Sequence, residues 1–329
     1  MNEPSIELIK ALKTLREEIP LDQFNNILSG LGIDSNNFEE RIKGLEREYE
    51  FISNLYICNL CKEIIPIDEE FTTNIKEKSC DAIVVLKNDE KILVEVKTTL
   101  KDNYKISQGN FKNKVEWANR IGYKLYFAIN IFNFWGLYSA EQVKEWNCKV
   151  GIDNIQESLL SKIFGTLYYV STNKIKFVST YIGNSTCDNL GIKDVETNSN
   201  LIKEEFYVND VKVKEVTPYN SNELPLVLLS SEIRSRCNRE NKKINEFETR
   251  TIYELNNVNI FCSFDLITTT ISEMEGPTLK YKYNSFLKMI SKNENRDKIN
   301  IWLKVLIKTL KMEPFILLPT SMNNKLKCK

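Results

Sequence analysis

Apolar residues recur at spacings of three and four along the first part of the chain, and the period then changes. Residues 5–18 and 21–31 read as two short amphipathic helices parted by Pro20. A longer helix is predicted from about Asn36 to Leu60, where Phe38, Ile42, Leu45, Tyr49, Ile52 and Leu55 form one stripe. Positions 68–79 are polar and irregular, with a short edge strand expected near Phe71–Ile75. Beyond them the pattern is that of strands. Asp81–Lys87 and Lys91–Lys97 are β-rich runs on either side of Asn88-Asp89-Glu90, a hairpin signal. Both faces of this hairpin are apolar in the middle, which predicts a central place in a sheet with cover on each side. A helix over about 106–121, strands over 124–132 and 133–138, and a helix near 140–146 follow. That order predicts the α/β class, a mixed central sheet flanked by helices.

After Cys148 the pattern loosens. Asp153–Phe164 reads as helical, and Thr166–Ser171 with Lys174–Tyr181 as a hairpin around Asn173. Thr186–Asn200 is rich in Asn, Thr, Ser and Asp and reads as a linker or long loop. Further hairpins are expected at Asn209-Asp210 and Asn256-Asn257, and helices near 283–291 and 296–311. The chain thus divides into an N-terminal helical segment (1–35), an α/β core (36–150) and a C-terminal α+β domain (151–329). There is no internal repeat.

Composition sharpens this picture in three places. First, a hydrophobic fraction of 42% supports a sizeable interior, and the 45 basic and 45 acidic residues balance. The balance is uneven along the chain. From Lys280 onward twelve Lys or Arg stand against three acidic residues, an excess of nine. Such an end is either a surface for a polyanion backbone or a solvated helix face. Second, the opening residues are charged and amphipathic, and apolar runs such as Leu224–Leu229 and Pro314–Pro319 are too short to span a bilayer. A soluble cytoplasmic protein with no membrane partner is expected. Eight cysteines without a regular framework agree with a reducing compartment, and Cys58 and Cys61 read as buried structural thiols. The aromatic group Phe132, Phe134, Trp135 and Tyr138 is expected to pack the core.

Third, the chain has no histidine. That excludes every mechanism built on an imidazole base and nearly all zinc enzymes. Hydrolysis here has to rest on carboxylates, lysine and a hard cation. Magnesium binds oxygen ligands and keeps several waters, so two or three protein carboxylates suffice. The predicted hairpin offers such a pair. Glu95 and Lys97 are two apart on one strand and project from one face. With a three-residue turn centred on Asn88, Asp81 stands directly opposite Glu95 on that same face. A two-residue turn would send Asp81 to the other side. The competing reading of these residues is a surface hairpin bearing an ordinary charge pair.

The run Cys80-Asp81, thirteen residues, then Glu95-Val96-Lys97 resembles the PD-(D/E)xK superfamily of restriction-endonuclease-like nucleases. The resemblance covers roughly residues 36–147, with Cys80 in place of the usual proline. It implies a restriction-endonuclease-like core in which Asp81, Glu95 and the main-chain carbonyl of Val96 ligate magnesium, with manganese as a substitute. Lys97 would orient the attacking water and offset charge on the phosphate. A further acidic ligand on the preceding helix is expected at Glu48, with Glu50 and Glu46 in reserve, and a polar helper at Gln108. The function implied is a magnesium-dependent endonuclease acting on DNA. RNA as substrate, a catalytically silent nucleic-acid-binding or assembly subunit, and protein partners or a homodimer all stay open. Lys304, Lys308 and Lys311 of the basic end are the candidate backbone contacts.

Overall fold

The computed structural model describes residues 6–67, 79–183, 187–194, 198–275 and 293–316. It divides into two compact units, with Leu60–Gly165 and the helices preceding Tyr56 in the first, and Thr166–Ile316 with Ile57–Asn59 in the second.

The first unit opens with three helices, α1 (Ile6–Glu18), α2 (Leu21–Gly30) and α3 (Ser35–Ile57). Their apolar stripes meet in a cluster of Ile9, Leu12, Phe24, Leu28, Phe38 and Ile42. A five-stranded sheet follows in the order β1-β2-β3-β5-β6, formed by Glu63–Pro66, Ala82–Val85, Lys91–Thr99, Lys124–Ile131 and Phe134–Ser139. β1, β2 and β3 are antiparallel, β3 and β5 are parallel, and β5 and β6 form an antiparallel hairpin. The sheet is therefore mixed, and β3 is its central strand. The parallel step is bridged by a short strand β4 (Asn103–Lys105) and helix α4 (Gln108–Ile121). Ser107 caps α4 by accepting from the Asn110 amide at 3.3 Å, and Gly122 ends it at φ 78°, a backbone state that favours glycine.

Strand alternation assigns each helix its side of the sheet. Leu93, Leu125, Phe127, Ile129 and Tyr138 share one face and pack with Trp117 and Ala118 of α4. On the other face Trp135 meets Phe51 of α3 with ring centroids 4.7 Å apart. Helix α5 (Ala140–Glu145), strand β7 (Lys149–Gly151), which pairs with β4, a 3-10 turn (Ile152–Glu157) and a short helix α6 (Leu160–Phe164) complete the unit.

The second unit holds two further sheets. Strands β9 (Ile175–Gly183), β10 (Lys193–Asp194), β11 (Ser199–Val208), β13 (Asn238–Lys243) and β14 (Glu248–Leu255) run in the order β10-β11-β9-β14-β13, and β12 (Val211–Val216) pairs with β11. The smaller sheet joins β8 (Tyr168–Ser171) to β15 (Asn259–Cys262) and β16 (Glu313–Phe315). Helices α7 (Leu224–Leu229), α8 (Ser231–Ser235), α9 (Ser263–Glu275) and α10 (Asn293–Thr309) accompany them.

Several sequence expectations are corrected. β8 does not pair with β9 around Asn173, and β14 does not pair with β15 around Asn256-Asn257; each of these pairs lies in two different sheets. Of the two readings of the Asn-rich stretch 186–200, linker or long loop, the first is corrected: its described part connects β9 to β11, which are neighbours in one sheet, and includes the short strand β10. The hairpin at Asn209-Asp210 does form, both residues having the positive φ that a tight two-residue turn requires. Phe132 does not pack the core: it turns between β5 and β6 at φ 50° and is 49% exposed, whereas Trp135 and Tyr138 are buried. The expected strand at Phe71–Ile75 and helix at 283–291 lie outside the described residues. Among the described residues no helix is long and apolar enough to cross a membrane.

Candidate active site

The β2–β3 hairpin sets the site. Ala82 pairs with Val94 and Val85 with Lys91, and the Leu86 amide donates to the Glu90 carbonyl at 2.8 Å. The turn is thus residues 87–89, with Asp89 in the left-handed region at φ 66°. This is the register that places position 81 opposite position 95. Asp81 stands one step before β2 and is held there from both sides. Its carbonyl accepts from the Ile67 amide at 3.0 Å, and its Oδ2 accepts from the Val96 amide at 2.6 Å.

Asp81 is 4% exposed and Glu95 1%. Burying two carboxylates beside each other is costly unless cations answer them. Here two lysines do. Lys97 Nζ lies 2.7 Å from Glu95 Oε1, and Lys114 Nζ lies 2.7 Å from Glu95 Oε2. Lys114 also donates to the carbonyl of Ser79. Burial raises the proton affinity of Asp81 well above the usual carboxylate range. The charges of Glu95 and Glu48 push the same way, and Lys97 and Lys114 oppose them. For Lys97, burial works against the charged form, but Glu95 and Asp81 outweigh it and hold the ammonium above its ordinary value. Burial likewise pushes the Cys80 thiol up, with Glu95 adding to the shift, so this cysteine is an inert core group.

The structure therefore brings Asp81, Glu95, Val96 and Lys97 together, with Glu48 close enough for its charge to act on Asp81. Glu50 is buried and paired with Arg47 at 2.6 Å, and Arg47 also reaches Asn133 Oδ1 at 3.0 Å. The side chain of Glu46 lies outside the described residues. Gln108 is not brought in: it is exposed in the first turn of α4 and makes no hydrogen bond or ion pair with these groups. Lys304 and Lys308 are exposed on α10, one turn apart. Lys311 is exposed too but stands beyond the helix end at φ 51°, where its carbonyl accepts from Asn173 Nδ2 at 3.2 Å.

Lys114 is the residue that the sequence reading missed. Its signal was present, since Phe111, Lys114, Trp117, Ala118 and Ile121 recur at spacings of three and four, and a lysine on such a stripe needs a buried partner.

The donor set suits a hard cation. Among the described residues no three Cys, Asp or Glu side chains are grouped as a complete protein cage, but magnesium is characteristically held by one or two carboxylates, with waters and substrate oxygens filling the rest.

No protein-family model matches the chain, and no curated protein does. Among solved structures, the Holliday junction resolvase Hjc of Archaeoglobus fulgidus is similar over 33% of this chain and 86% of its own length, at 15% identity and a TM-score of 0.28.

Proposed function

We propose that the first unit is a magnesium-dependent nuclease acting on DNA, and that Lys304, Lys308 and Lys311 of the second unit contact the substrate backbone. The observation that carries the reading is the buried pair Asp81 and Glu95 on one face of the central hairpin, with Lys97 beside it. Folding alone gives no reason to bury two acids in adjacent strands. Asp81, Glu95 and the Val96 carbonyl would hold the cation, with Glu48 nearby. When bound, the cation would supply an acidified water and neutralise charge on the phosphate.

The chain's own residues do the rest. Asp81 accepts from the Val96 amide and so helps to hold the backbone of the residue whose carbonyl would be the third donor. Lys97 stays protonated and is therefore an N–H donor and a charge, not a base. With a quarter of its surface open (25%), it can turn toward a phosphate oxygen or an attacking water.

The purified chain should cut DNA with magnesium or manganese and not with EDTA. Lys97→Ala should lower turnover by about a hundredfold to a thousandfold, the scale of losing one charge-stabilising donor. Metal-independent cutting, or a fully active Lys97→Ala protein, would overturn the assignment. Preferential cutting of RNA would keep the chemistry and change the substrate. One observation favours a second reading, a silent binding subunit: both oxygens of Glu95 are already matched by lysines. A folded protein that binds DNA and never cuts it, with either metal, would establish that reading instead.

A further inference from the structure

The two lysines on Glu95 are not equivalent. Each ammonium sits 2.7 Å from one carboxylate oxygen, yet the Lys97 side chain is 25% exposed and that of Lys114 only 5%. Lys114 has a second anchor in the Ser79 carbonyl, two residues ahead of Asp81. It therefore ties α4 both to the strand end that carries one acid and to the side chain of the other. Moving Lys114 off Glu95 would strand a cation away from water, whereas Lys97 can exchange its partner for solvent. Of the two, Lys97 is therefore the one placed to give way to added positive charge, and Lys114 the one placed to stay.

We propose that Lys114 is a positioning residue that leaves Glu95 only one oxygen, Oε1, to offer a cation in place of Lys97, and so tunes the centre toward magnesium and against calcium. The inference rests on the metal-dependent reading above. Magnesium takes about six oxygens in a strict octahedron and keeps several waters, while calcium takes about six to eight and readily accepts both oxygens of one carboxylate. With Oε2 committed to Lys114, Glu95 can serve the first cation fully and the second only in part. The chemistry of the ligand is set by a lysine on a helix that contributes no oxygen itself.

Calorimetric titration of the intact chain with magnesium chloride and with calcium chloride tests this directly. Lys114→Met keeps the bulk of the side chain and frees Oε2. The calcium-to-magnesium affinity ratio should rise by about tenfold, because two-oxygen binding by Glu95 becomes available. A lysine that merely supports the fold would change stability and leave that ratio alone, so an unchanged ratio overturns the inference while the metal-dependent reading stands. A wild-type chain that binds neither cation overturns both. If Lys114→Met does not fold, infrared difference spectra of the wild-type chain decide the point without a variant at 114. The Glu95 carboxylate band, identified by its loss in Glu95→Gln, should show the wide splitting of a one-oxygen ligand with either cation. The narrow splitting of a two-oxygen ligand with calcium would overturn the inference.

Discussion

At Asp81 burial and function pull in opposite directions. Its carboxyl accepts from the Val96 amide, yet burial and the nearby charges of Glu95 and Glu48 raise its proton affinity. The linkage has a definite sign. An aspartate in the unfolded chain titrates near pH 4, so between that value and the raised native value the folded protein holds the extra proton, and stability falls as pH rises through the window. Asp81→Asn removes this penalty and keeps an oxygen for the Val96 amide. In EDTA, urea unfolding should find the variant more stable than wild type at neutral pH and equal to it below about pH 4. Magnesium should reverse the order: at a hundred times its dissociation constant it should stabilise wild type by about 2.7 kcal/mol and the variant hardly at all. A variant stabilised by magnesium as much as wild type would move the metal site away from Asp81.

Among the elements, the β2–β3 hairpin was readable because one local feature, the turn, sets its register. A turn centred on Asn88 places Asp81 across from Glu95, and no distant residue enters that deduction. The β5–β6 turn was harder to read. Phe132 looked like a core aromatic, but it takes a positive φ that non-glycine residues rarely adopt, and the tight turn leaves it 49% exposed. Near the end of β6 the reverse holds. Tyr138 is fully buried and lies over Gly136, where an added Cβ would sit 2.1 Å from the tyrosine hydroxyl oxygen and 2.4 Å from the ring. Because the ring has no exposed path to move into, Gly136→Ala should cost about 1–3 kcal/mol in urea unfolding. Magnesium affinity of the folded fraction should not change, since β5 lies between the glycine's strand and β3. A neutral Gly136→Ala would mean that Tyr138 can shift within its pocket.

For the molecule as a whole, legibility followed contact distance along the chain. The mixed sheet of the first unit is built from neighbouring elements, and its class and the β2–β3 hairpin could be read from alternation and helix periods, whereas the edge strand β1 (Glu63–Pro66) was not predicted. The second unit pairs β8 with β15 and β16, strands that start roughly ninety and more residues later, and polar turn residues such as Asn173 and Asn256 mark a reversal without naming the partner. Charge placement was legible in another sense: it showed where cations collect but not what they face. Helix α10 buries Leu303 and Leu306 and exposes Lys304 and Lys308, with Leu310 and Lys311 repeating the pattern just past its end. Packing and backbone binding are compatible on such an element, so burial of the leucines decides nothing about the lysines. Salt dependence does. Each phosphate neutralised on duplex DNA adds about 0.9 to the slope of log affinity against log salt. Neutralising Lys304, Lys308 and Lys311 together should therefore weaken DNA binding at low salt and flatten that slope by up to about 2.7. Magnesium affinity and turnover at saturating DNA should persist, because no residue of the metal centre is altered. An unchanged slope in the triple variant would remove these lysines from the substrate path and leave them as the solvated edge of a packed helix.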